Sequence, residues 1–180
     1  MSRRLRGMLV VLGVLLGVLG PVSAAGARPV SAAAPAGISC PVGSQVGTYT
    51  PGLTYEPRDV AFQASGNVSG CVDLSGNGIS GASFSATGHG TASCLAGSVS
   101  NTATYHWSNG QTSTVTGTGA INLKPNGVTV LVLTGTVTSG LFTGATVVQT
   151  KVLLNSELTA CASPGGLTSV GGPISLTVAL

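Results

Sequence analysis

The amino-acid sequence predicts an all-β domain, an antiparallel sandwich or partly closed barrel of about eight strands, rich in meander connections and held by two disulfides. Three observations predict it. Apolar and polar residues alternate from about Val46 almost to the end of the chain, the two-residue repeat of a strand, which the 3.6-residue period of a helix would scramble. Glycine fills 28 of 180 positions, scattered through the alternating runs and also marking turns between them, as at Ser75-Gly76-Asn77-Gly78 and Asn109-Gly110. Cys40, Cys71, Cys94 and Cys161 form an even set without any C-x-x-C spacing, which favours disulfides in an exported chain over a zinc site.

The first segment is read as a secretory leader. Arg3, Arg4 and Arg6 precede an apolar run from Met8 to Leu19. That run is too short for a membrane span, which takes about 20 residues, and small residues follow it with cleavage expected after Ala24 or Ala27. The domain organisation expected is therefore a signal peptide at 1–27, a flexible Ala/Pro/Gly/Ser-rich segment at 28–45 and one β-domain at 46–180. Cleavage after Ala27 leaves Arg28, Arg58, Lys124 and Lys151 against Glu56, Asp59, Asp73 and Glu157, so the formal charge of +3 belongs to the leader.

Val60, Phe62, Ala64, Val68 and Val72 share one phase up to the turn at Ser75-Gly76-Asn77-Gly78. The alternation resumes with Ala82, Phe84, Ala86 and Ala92 against Ser83, Ser85, Thr87 and His89. Ala103, Tyr105 and Trp107 alternate with Thr102, Thr104 and His106 and end at Asn109-Gly110, a strong hairpin signal. Thr112 to Leu123 forms the return strand, and Pro125-Asn126-Gly127 turns again. Val128 to Val137 is apolar in both phases and is placed centrally. A strand follows from Phe142 to Leu154, a short edge piece at Leu158 to Cys161, a break at Pro164-Gly165-Gly166, and a terminal strand from Ile174 to Leu180. Side-chain phase puts Cys94 with Phe84 and Ala92, and Cys71 with Ser69 and Asp73, on opposite faces. A Cys71–Cys94 bridge is thereby disfavoured, and Cys40–Cys71 with Cys94–Cys161 is the preferred pairing.

Chemistry is harder to find. Only 6% of residues are charged, too few for a nucleic-acid binder that neutralises phosphates with clustered Lys and Arg. No G-x-S-x-G or H-E-x-x-H occurs, and no phosphate-cradling glycine loop. His89 and His106 fall at polar strand positions, and the four carboxylates read as turn or edge charges. No catalytic residue, metal or cofactor is expected. Tyr105 and Trp107 share a strand face, with His106 between them, while Tyr49 and Tyr55 flank a Pro-Gly turn. These five are the candidate ligand contacts, although a core role suits the lone Trp better.

The segments Tyr49-Thr50-Pro51-Gly52-Leu53-Thr54, Ala92-Ser93-Cys94-Leu95-Ala96-Gly97 and Thr134-Gly135-Thr136-Val137-Thr138-Ser139-Gly140 resemble small exported Thr/Ser/Gly-rich proteins of actinobacteria. That resemblance implies export and an all-β fold and carries over no site residue. The expectation is a secreted or cell-wall-associated binding module, not an enzyme, without a transmembrane segment in the mature chain. Its partner would be an extracellular protein, a glycan or an apolar small molecule. The alternative is a structural component that self-associates through its charge-poor strand edges or through a strand donated from the segment before Cys40. A small hydrolase using His89 or His106 ranks third.

Overall fold

A computed structural model describes residues 36–123, 129–153 and 155–180. The expected leader, Arg28, the Pro125-Asn126-Gly127 turn with Lys124, and the side chain of Glu157 lie outside the described residues. Within them runs a meander of long strands: β1 (Ala36–Cys40), β2 (Val42–Leu53), β3 (Arg58–Ser69), β4 (Val72–Asp73), β5 (Gly81–Ala92), β6 (Ala96–Trp107), β7 (Thr112–Leu123), β8 (Thr129–Gly140), β9 (Thr146–Leu153) and β10 (Leu167–Ala179). All pairings are antiparallel, in the order β2-β3-β5-β6-β7-β8-β9-β10, and β10 pairs back onto β2. The result is a closed eight-stranded barrel with two additional short strands. Closure removes the open edges that a sandwich of this length would leave.

β10 is the strand that closes the ring. Its first half runs along β2, with Val170 facing Gly47 and Gly172 facing Gln45. Its second half pairs with β9 on one edge and with β1 on the other. β1 thus prolongs β2 along the same edge of β10, interrupted at Pro41. Residues 36–45, expected to be flexible, are instead ordered in these two strands. Their low complexity misleads because Ile38, Cys40 and Gln45 are all buried. Of the segment expected to donate a strand to a partner, the described part, Ala36–Cys40, is already paired within its own barrel.

Two other expectations change locally. Residues 141–144 form a turn and β9 begins at Thr146, while residues 155–162 form a 3-10 segment where an edge strand was expected. β8 is indeed paired on both sides, but so is every wall strand of a closed barrel. Its second apolar phase, Val130 and Val132, faces outward and is half-buried.

Both preferred disulfides are present, Cys40–Cys71 and Cys94–Cys161. Val42 faces Ser69 and Ser39 faces Val72 in one continuous register. Cys40 and Cys71 therefore stand directly opposite each other, with Cα atoms 4.0 Å apart. The phase assigned to Cys71 needs correction. Gly70 adopts a left-handed φ of 63°, which resets the alternation after β3 and turns Cys71 away from the face of Ser69 toward the core. Cys94–Cys161 ties the β5–β6 connection to the 3-10 segment. It lies at the end of the barrel where Cys94 donates its backbone N–H to Thr54.

The inward positions are filled by side chains. Tyr105 lies between Phe84 and Trp107, with ring centroids at 5.3 and 5.7 Å, and Phe142 meets Trp107 edge-on at 5.7 Å. Small and large residues alternate across strands. Phe62 faces Gly88, where an added Cβ would lie 2.3 Å from the Phe62 ring and 2.2 Å from the Ser100 carbonyl oxygen. Glycine there lets the wall bend and the ring lie across it.

Several polar groups inside are hydrogen-bonded to one another or to backbone carbonyls. The Tyr105 hydroxyl donates to Gln149 Oε1 at 2.7 Å, and Gln149 Nε2 donates to Gln45 Oε1 at 2.6 Å. Trp107 Nε1 donates to Ser113 Oγ at 2.8 Å, and that hydroxyl donates on to the Leu141 carbonyl. Lys151, fully buried, donates from Nζ to the Val170 carbonyl at 2.9 Å. Val170 lies on the stretch of β10 beyond the last residue paired with β9 and is itself paired with Gly47 of β2.

Candidate functional site

Of the five expected contact residues, three are in the core. Tyr49, Tyr105 and Trp107 are 7%, 3% and 4% exposed, and their rings pack on other rings, so no surface platform is formed by them. Burial also pushes the Tyr105 phenol well above its ordinary range; it stays protonated, as a donor to Gln149 must. The alternation had correctly placed Tyr105 and Trp107 on one face, and that face is the inside. Tyr55, 46% exposed, lies in the β2–β3 connection at one end of the barrel, and His106 is exposed on the outer wall. The structure does not bring these five together.

What it does assemble is a surface that no short motif signals. Each strand turns its polar phase outward, and the registers align those residues across strands. Thr48 faces Gln63, which faces Thr87, then Thr102, Thr116, Thr136 and Thr146 in succession. All seven are exposed. Neighbouring strands lie about 4.8 Å apart and outward residues repeat about every 6.7 Å along a strand, so the wall carries a regular net of hydroxyls. The next row adds Thr50, Ala61, His89, Ser100, Thr118 and Thr134 in the same way. The only hint in the sequence is the alternate-residue threonine of runs such as Thr112, Thr114, Thr116 and Thr118.

A shallow groove of about 410 Å³ crosses this net over β3, β5, β6 and β7, walled by Thr87, His89, Ser100, Thr102 and Thr116. It continues toward β2 through depressions that share Thr87, Gln63 and Thr48. The small outward residue Ala61 also lines it. Asn101 also lines it, 8% exposed, with a buried Oδ1 that has no hydrogen-bond partner. A buried amide oxygen without a donor costs about 1–3 kcal/mol, and Asn101, in the inward phase of β6 with Val99 and Ala103, carries that cost behind the wall and not in the groove.

The charges around the groove are sparse. Asp59 lines the adjoining depression with His89 and accepts a hydrogen bond from the Thr91 hydroxyl at 2.7 Å. Among the described residues the side-chain cations other than histidine are Arg58 and Lys151. Lys151 is buried, and Arg58 reaches the Gly165 carbonyl at 3.4 Å, at the end of the barrel. The nearest approach to a nucleophile and base is Ser100 with His89. Their Oγ and Nε2 are 3.4 Å apart, while the Ser100 hydroxyl donates to the His89 backbone carbonyl at 3.1 Å. His106 stands apart in a separate depression with Asn67, Ser83 and Ser108.

Among the described residues no group of three or more His, Cys, Asp or Glu could hold a metal ion, and no helix is long and apolar enough to cross a membrane. No protein-family model, curated protein or solved structure matches the chain.

Proposed function

We propose that the protein is a secreted binding module that works through the outer wall of its barrel and not by catalysis. The observation that carries this reading is the groove across β2–β7, where exposed Thr, Gln, Ser and His side chains converge on a wall nearly free of charge. Two disulfides suit an oxidising extracellular setting. The filled interior, with its aromatic rings stacked on one another, leaves the wall as the surface for a partner, which replaces Tyr105 and Trp107 as contact candidates. A lipid-facing barrel would need an outward apolar band flanked by aromatic girdles; here the outward rows of β5–β7 are mostly Ser and Thr, with His89 and His106.

A structural role is the second reading, favoured by the exposed Val42, Val72 and Leu74 near the β1–β4 extension. Capture of extracellular material on immobilised protein tests the first reading, with Thr102→Arg placed in the groove as the blocking variant. Capture by the wild type and not by Thr102→Arg supports it. Equal capture by both overturns it.

A further inference from the structure

Resting on that reading of the wall, we infer that the groove takes a neutral, polyhydroxylated chain, an extracellular polysaccharide laid across the strands along the row of Thr48, Gln63, Thr87, Thr102 and Thr116. Charge decides the class first. An anionic polymer is held by clustered cations, and among the described residues neither side-chain cation stands in the groove: Lys151 is inside the barrel and Arg58 is engaged at its end. A polycation would need more than Asp59, whose carboxylate is already hydrogen-bonded to Thr91. A neutral chain of hydroxyls needs neither.

Chemistry decides it next. Each threonine offers a hydroxyl, able to donate and to accept, beside a methyl group, and its χ1 is stiff because Cβ is branched. A row of them presents fixed, alternating polar and apolar points, complementary to a sugar chain that carries C–H faces and O–H edges. Gln63 adds an amide with both donor and acceptor. Shape decides between a chain and a flat crystal face. Closing a full circle with eight strands turns the wall by about 45° per strand on average. A planar lattice would therefore touch only one or two strands, whereas a flexible chain can follow the row around the curve from β2 to β7.

The test is an amide-resolved NMR titration of the full protein with cellohexaose and mannohexaose as neutral chains and with polygalacturonate as the anionic comparator. The account expects shifts from a neutral chain centred on Thr87, Thr102 and Thr116, and none from polygalacturonate. It expects Thr102→Val/Thr116→Val to keep the fold and weaken binding about tenfold, as loss of two hydrogen bonds of modest strength implies. Polygalacturonate binding as tightly as the neutral chains overturns the inference. So do shifts confined to the barrel ends, an affinity unchanged in the double variant, or no binding of either neutral chain. If the titrations fail while Thr102→Arg still abolishes capture of extracellular material, the ligand class is wrong and the wall reading stands. If Thr102→Arg changes nothing, the wall reading itself has failed.

Discussion

The inside and the outside of this barrel are made from the same strands, one residue apart, and they obey different rules. Inward, Phe84, Tyr105 and Trp107 stack on one another, and Gln45, Gln149 and Lys151 each find a hydrogen-bond partner. Outward, the same strands carry Ser85, Thr104 and His106, exposed or half-buried. The inner set is an interlocking solid in which each residue is constrained by several others. The outer set is a repetitive net in which each residue is nearly independent of its neighbours for stability. Stability should therefore be concentrated in one phase of the alternation and recognition in the other.

The strongest way to break that comparison is inside. Trp107→Ala removes a ring stacked on Tyr105 and met edge-on by Phe142, and takes from the Ser113 hydroxyl its indole donor; a loss of about 3–5 kcal/mol is expected for such a truncation, measured by denaturant unfolding. A loss below 1 kcal/mol would mean that this end of the barrel is loosely packed. Next is the bridge across the opposite end. Replacing Cys94 and Cys161 together by Ala opens a link over 67 residues and should cost about 2–4 kcal/mol, with the 3-10 segment losing hydrogen-exchange protection before the wall strands do.

A smaller effect is expected at Asp73, outside the barrel proper. Its carboxylate accepts backbone N–H groups from Ile79 at 2.9 Å and Ser75 at 2.8 Å, and the Ile79 bond, followed by the Ser75 hydroxyl, holds its pKa below the usual carboxylate value. A group whose folded pKa is depressed stabilises above its unfolded pKa, near 3.8, and loses that contribution as pH falls through the folded value. The gap in Tm between wild type and Asp73→Asn should be present at neutral pH and close under acid. The smallest effect belongs to the net. Thr102→Val/Thr116→Val should change stability by no more than about 0.5 kcal/mol, since both side chains are exposed and the volumes match. A larger loss would show the wall to be structural and not merely presented.

How much of this the sequence discloses differs between the two phases. Alternation in Ala82–Ala92 and Thr112–Leu123 shows strands and their faces directly, and Asn109-Gly110 marks its hairpin, because these are local properties. Closure is not local. It depends on β10 meeting β2 some 120 residues earlier, with Val170 against Gly47, and no periodicity within either strand encodes that register. The segment 36–45 misleads for a related reason: Pro41 and Gly43 look like a linker until β10 is there to pair with it. Gly70 hides the true phase of Cys71, since a single left-handed residue shifts everything after it. The groove is invisible for the plainest reason. Its walls come from Thr48, Gln63, Thr87, Thr102 and Thr116, each unremarkable in its own strand and brought together only by register.

The pairing of β2 with β10 is the most direct point of attack, because it turns a sheet into a barrel and so defines an inside at all. Cross-strand NOEs in the intact protein should link Gln45 with Gly172 and Gly47 with Val170, with the amides of that ladder protected from exchange. Rapid exchange along both strands and no such contacts would contradict the closed barrel. The wall and its groove would then have to be redrawn.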